Sequence, residues 1–103
     1  MNRIEKLQDL LLQMPGDNFL RHALALEYIK LEKDEDAKTL FVAILNDSPD
    51  YIGSYYHLGK LLERNGETAK AIGCYETGMQ QAKAVNDQHA YNELLAAYED
   101  LAY

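Results

Sequence analysis

Residues 55–78 read YYHLGKLLERNGETAKAIGCYETG, and two readings of them compete. Read as chemistry, the stretch offers His57, the only cysteine (Cys74) and a Gly66-Glu67-Thr68-Ala69-Lys70 run with the outline of a phosphate-binding turn. Read as packing, it is two amphipathic segments folded about Asn65-Gly66. Tyr55, Leu58, Leu61 and Leu62 recur at helical spacing before the turn, and Ala69, Ile72, Tyr75 and Met79 after it. Asn65-Gly66 supplies the residue type that tolerates a left-handed backbone at a helix end.

The same spacing runs outward in both directions. Ile4, Leu7, Leu10, Leu11 and Met14 form a first stripe closed by Pro15-Gly16, and Phe19, Leu20, Ala23, Leu24, Leu26, Tyr28 and Ile29 form a second. Asp17 or Asn18 is placed to cap that second helix. Ala37, Leu40, Phe41, Ile44 and Leu45 make a third, ended by Asp47-Ser48-Pro49, where Ser48 suits a cap and Pro49 a first helical turn. A fourth helix then takes Tyr51, Ile52, Tyr55, Leu58, Leu61 and Leu62, and a fifth takes Ala69, Ile72, Tyr75, Met79 and Ala82. A sixth, carrying Tyr91, Leu94, Leu95, Tyr98 and Leu101, follows the polar break at Asn86-Asp87. An all-α chain of six short helices accounts for nearly every residue.

Shifting the sequence by 34 residues carries Leu24 onto Leu58, Ala25 onto Gly59, Tyr28 onto Leu62, Ala37 onto Ala71, Phe41 onto Tyr75 and Pro15 onto Pro49. Small residues fall on small ones, and aromatics on aromatics or large aliphatics. The pattern resembles the tetratricopeptide repeat, whose W-x₂-L-G-x₂-Y, A-x₃-F signature reads here as Tyr55-x₂-Leu58-Gly59-x₂-Leu62, Ala71-x₃-Tyr75. The earlier copy is Arg21-x₂-Leu24-Ala25-x₂-Tyr28, Ala37-x₃-Phe41, Pro49. The resemblance implies a right-handed α-solenoid of antiparallel helix pairs in one domain. Residues 1–17 would be a partial repeat, 18–51 and 52–85 full repeats, and 86–103 a capping helix. Arg21 stands in an aromatic's place, Gly78 in an alanine's, and Lys83 in the closing proline's, which lets the fifth helix run a turn longer. The first inter-helix turn has no glycine, so Lys33 and Asp34 are expected to make it. Gly59, Ala25, Ala71 and Ala37 are expected where helices cross too closely for a larger side chain.

Composition and spacing argue against catalysis and against several partners. The formal charge of −7 disfavours a polyanion or an anionic membrane surface, because no basic cluster exceeds two residues. One cysteine and three scattered histidines cannot build a structural zinc site, and His22, His57 and His89 show no i, i+4 pairing. Cys74 lies beyond a helix start and reads as a packing residue. The Gly66–Lys70 run lacks the second glycine and the Lys-Ser/Thr pair of a phosphate loop. Glu32, Asp34, Glu35 and Asp36 lack the glycine and terminal glutamate of a calcium loop. No apolar run reaches signal-peptide or membrane-span length. The expectation is a non-enzymatic, cytoplasmic protein without cofactor or metal.

In the family it resembles, the first helix of each pair lines a concave face that binds protein segments. That implies partner-binding candidates Phe19, His22, Ala23, Leu26, Ile29 and Lys30 on one helix and Tyr56, His57, Lys60 and Arg64 on the next, with Tyr91, Leu94 and Tyr98 on the last. The mixture of apolar and cationic side chains suits an extended or helical peptide carrying some negative charge. Family members that grip chaperone tails use a Lys, Asn, Asn, Lys, Arg clamp. His22, Leu26, His57, Asp87 and Tyr91 hold those places here, which disfavours that specificity. The alternative expectation is a structural unit, a weak homodimer joined through the first and last helices, where Ala90, Ala96, Ala97, Tyr98, Ala102 and Tyr103 leave a small or aromatic surface.

Overall fold

The computed structural model describes residues 1–103 and holds six α-helices and no strand. They are α1 (Arg3–Gln13), α2 (Asn18–Lys30), α3 (Asp34–Asp47), α4 (Gly53–Arg64), α5 (Thr68–Ala84) and α6 (Gln88–Ala102). Met1–Asp47 and Ser48–Tyr103 form two compact units of three helices each.

In the first unit α2 packs against both α1 and α3. Leu7, Leu20, Ala23 and Leu24 form a buried cluster, joined by Ile4, Leu11, Tyr28 and Leu40. Asn2 caps α1 by accepting the Glu5 N–H at 2.8 Å, and Asp17 caps α2 by accepting that of Leu20 at 2.9 Å. Each satisfies one of the amides that a helix start leaves without an intrahelical partner. Arg21 resolves the missing aromatic. Its guanidinium is buried and bonds Asp47 at 3.0 Å, the Gly16 carbonyl at 3.3 Å and the Asn18 side-chain carbonyl at 2.6 Å. One cation thus ties the α1–α2 loop, the start of α2 and the end of α3 together, with Nε buried and unpartnered.

The second unit is built on close approach. Ala71 and Tyr75 are fully buried, and a methyl added to Gly59 would collide with the Cδ1, Cε1 and Cζ carbons of the Tyr75 ring. Gly78 is equally confined: a methyl there would lie 2.7 Å from the Tyr55 Cβ and 3.0 Å from a Leu94 methyl. These are the small positions that the repeat pattern required, and Ala25 and Ala37 are likewise fully buried in the first unit. Tyr75 donates its hydroxyl to the Glu63 carboxylate, and Tyr55 donates to the Pro49 carbonyl at 2.6 Å. Helix α5 packs on α4 and α6, and α4 also touches α6.

Two local expectations are corrected. Ser48 and Pro49 do not open α4, which starts at Gly53 and leaves Tyr51 and Ile52 outside the helix. Ser48–Tyr51 is instead a turn closed by the Tyr51 N–H on the Ser48 carbonyl at 3.0 Å, and the Tyr55 hydroxyl fixes the Pro49 carbonyl that a helix would have used. Nor do Lys33 and Asp34 bend the first inter-helix turn. Glu32 does, at φ 58°, matching Gly66 at φ 79° and Asn86 at φ 59°. In all three turns the following residue's N–H reaches back to a carbonyl five residues earlier: Lys33 to Tyr28 (2.9 Å), Glu67 to Leu62 (2.9 Å) and Asp87 to Ala82 (2.8 Å). This is the Schellman closure of a helix end. Glu32 and Gly66 are 34 residues apart, so the repeat is visible in the backbone even where the letters differ. Helix α5 exceeds α3 by three residues, 17 against 14, where Lys83 replaces the proline.

Candidate functional site

On α2, Phe19 is exposed, Leu26 and Ile29 are half-buried, and Lys30 is exposed and paired with Glu27 at 2.9 Å. His22 is half-buried and meets the Phe41 ring edge-on, with centroids 5.5 Å apart. Ala23 belongs to the buried cluster and offers no surface.

On α4, three candidates gather. The rings of Tyr56 and His57 stand edge to face at 5.6 Å, and the Lys60 ammonium lies 5.7 Å from the centre of the Tyr56 ring. An ammonium over a tyrosine face is attracted by the ring's quadrupole, worth about 0.5–1 kcal/mol at an exposed position. Lys60 also leans toward Glu63 at 3.6 Å, too long to hold it firmly. Burial pushes the His57 pKa below its ordinary value, and Glu93 on α6 pulls partly the other way. His57 is therefore mostly neutral at pH 7 and keeps a donor and an acceptor nitrogen. Arg64 is exposed one turn beyond Lys60.

The α6 candidates lie elsewhere. Leu94 is buried against the Gly78 crossing. Tyr91 and Tyr98 line an open furrow of about 360 Å³ between α5 and α6, with Glu76, Met79, Gln80, Lys83 and Leu95. It adjoins a smaller hollow of about 160 Å³ that shares Lys83 and Tyr91 and adds Asp87. Periodicity assigned Tyr91 and Tyr98 to an apolar stripe, but it could not say which flank of α6 its neighbours leave open.

Cys74 sits in a partly buried environment. Burial pushes the Cys74 thiol up to about 12, and its Sγ faces the Tyr55 carbonyl at 3.4 Å. A protonated thiol donating to a carbonyl is a poor nucleophile. No three His, Cys, Asp or Glu side chains come together as a metal site would need, and no helix is long and apolar enough to cross a membrane.

No family model and no curated protein matches this sequence. Solved structures do. A tetratricopeptide repeat domain protein from Salinibacter ruber is 40% identical over 84% of this chain, in solution and in the crystal, with TM-scores of 0.81 and 0.80. The matches cover 88% and 96% of those chains. A protein from Bordetella parapertussis is 29% identical over 99% of this chain and 89% of its own, with a TM-score of 0.85. The TPR2B domain of yeast Sti1, solved in complex with pHsp70, superimposes with a TM-score of 0.88 over 96% of this chain and 79% of its own. At 15% identity it speaks for the fold alone. The buried small residues, the repeated helix closures and the Salinibacter match converge on one conclusion: this all-α solenoid chain belongs to the tetratricopeptide repeat family.

Proposed function

We propose that the protein is a non-catalytic adaptor whose first-of-pair helices form a concave groove that binds a segment of another protein. The observation that carries this reading is the Tyr56–His57–Lys60 cluster on α4, which sets an aromatic face, a neutral imidazole and a cation side by side. Such a group meets an extended or helical peptide through ring contacts and takes up a carboxylate at Lys60 or Arg64. Phe19, His22, Leu26, Ile29 and Lys30 on α2 supply a second contact surface, mainly apolar. Support for a protein or peptide partner comes from the family and from the Sti1 domain, whose structure is itself a complex. The repeats are taken as 18–51 and 52–85, flanked by 1–17 and 86–103. A single protonated thiol suits a reducing compartment such as the cytoplasm.

Selection from a random 12-residue peptide display library tests the proposal. Wild type should enrich peptides pairing an acidic with an aromatic or aliphatic residue. Lys60→Glu should lose the acidic preference, and Tyr56→Ala should lower affinity about tenfold, roughly 1.4 kcal/mol. Equal enrichment by wild type and both variants would sink it.

A further inference from the structure

We propose that the furrow between α5 and α6 receives helix α1 of a second copy of this chain, laid antiparallel to α6, so that copies associate head to tail. The furrow is apolar along its middle, where Met79, Leu95, Tyr91 and Tyr98 are all half-buried. Its charges sit at opposite ends. Glu76 lies at the Tyr98 end, and Lys83 lies at the Tyr91 end, beside the start of α6. An occupant therefore needs an apolar stripe, a basic end and an end that tolerates a cation.

Helix α1 has that pattern on one flank. Leu7 faces the core with Ile4 and Leu11, while Arg3, Lys6 and Leu10 recur three or four residues apart on an exposed flank that the exposed C-cap residue Met14 follows. The first two are basic and the last two apolar. Leu10 and Met14 are among the large apolar residues the protein leaves exposed. Arg3 is only loosely engaged, 3.6 Å from Glu27.

Orientation decides the fit. Laid antiparallel to α6, Lys6 and Arg3 reach the Glu76 and Tyr98 end, Leu10 meets Leu95 and Met79, and Met14 meets Tyr91. The α1 carbonyl end, which carries partial negative charge, then falls beside Lys83. Laid parallel, the two cations would crowd Lys83 and leave Glu76 unmatched. The α1 flank spans about 16 Å at 1.5 Å per residue, matching the Tyr91–Ala102 length of α6. One helix in one furrow buries less than the roughly 1,200 Å² of a stable complex, so the association is weak. Because the two surfaces differ, the contact is heterologous: each copy offers one α1 and one furrow, so every copy can engage two others or exchange helices with one.

Sedimentation of the full chain from about 10 µM to about 1 mM tests this, a range suited to weak complexes. Wild type should pass beyond the monomer mass as its concentration rises. Leu10→Glu on α1 and Leu95→Glu in the furrow should each remain monomeric, with unchanged helicity by circular dichroism. Mixed in equal amounts, the two variants should pair and stop at a dimer, since each retains one of the two surfaces. Should Leu95→Glu disturb the fold, the surface change Glu76→Lys replaces it: alone it should lower self-association several-fold, and Lys6→Glu in the same chain should restore it. A wild type that is monomeric throughout overturns the proposal and leaves the furrow to a helix of another protein. Failure of the mixed variants to pair also overturns it.

Discussion

Four glycines that look alike on paper do different things at the scale of single residues. Gly59 and Gly78 have aromatic neighbours where a methyl would go, Gly73 has open space, and Gly66 has a left-handed backbone. Gly73→Ala should stabilise the protein by about 0.5–1 kcal/mol, because glycine in a helix interior loses more backbone freedom on folding than alanine. Gly59→Ala should destabilise it by about 1–3 kcal/mol, the cost of overpacking a tight crossing. Pairing Gly59→Ala with Tyr75→Leu should recover part of that loss, as urea unfolding in a double-mutant cycle would reveal. Equal shifts for the two single variants, or Gly73→Ala the more damaging, would refute this packing. The repeat register marked Gly59 as small without naming its neighbour. Gly78 was visible only as a departure from alanine; its reason, the Tyr55 and Leu94 side chains, is a tertiary fact.

The sequence shows the helices themselves more clearly than their ends. Apolar spacing locates all six, since a buried stripe must recur with the helical period. It misplaces the start of α4, because Ser-Pro is a sound helix opening that the Tyr55 hydroxyl overrides by holding the Pro49 carbonyl. It misplaces the first turn too, because nothing about Glu32 advertises a positive φ. Arg21 shows the same limit: the pattern flags it as foreign, but only the fold brings Asp47 and the Gly16 carbonyl to it. The Glu32 turn yields a prediction. A left-handed backbone costs a residue with a Cβ about 1–2 kcal/mol, and glycine avoids most of it. Glu32→Gly should therefore raise the unfolding midpoint by about 0.5–1 kcal/mol equivalent, whereas Gly66→Ala should lower it by a similar amount. Thermal melts that rank the two variants the other way would show that these turns are not equivalent.

For the molecule as a whole, the fold was largely readable and the site was not, for one physical reason. Crossing points constrain residue size, which leaves a trace every 34 positions, whereas binding surfaces are free to carry any side chain. The same buried crossing also governs how the whole chain responds to alkali. Burial holds the Cys74 thiol protonated up to about 12, against 9.0 for an unburied thiol. Burial first, and then the bond to Glu63, raises the Tyr75 phenol above its ordinary 10.0. Between these ordinary and raised values the unfolded chain has released protons that the folded chain still binds. The unfolded state thus binds fewer protons, and stability falls as pH rises, by at most about 1.4 kcal/mol per pH unit for each group. Below about pH 8 both states hold these protons and neither group contributes appreciably to the slope. Urea unfolding between pH 8 and 11 should show this decline, and Cys74→Ala with Tyr75→Phe should flatten it. Some slope should survive in the double variant, because burial raises the Tyr55 phenol as well. An alkaline decline equally steep in wild type and double variant would mean that protons leave somewhere other than the α4–α5 crossing.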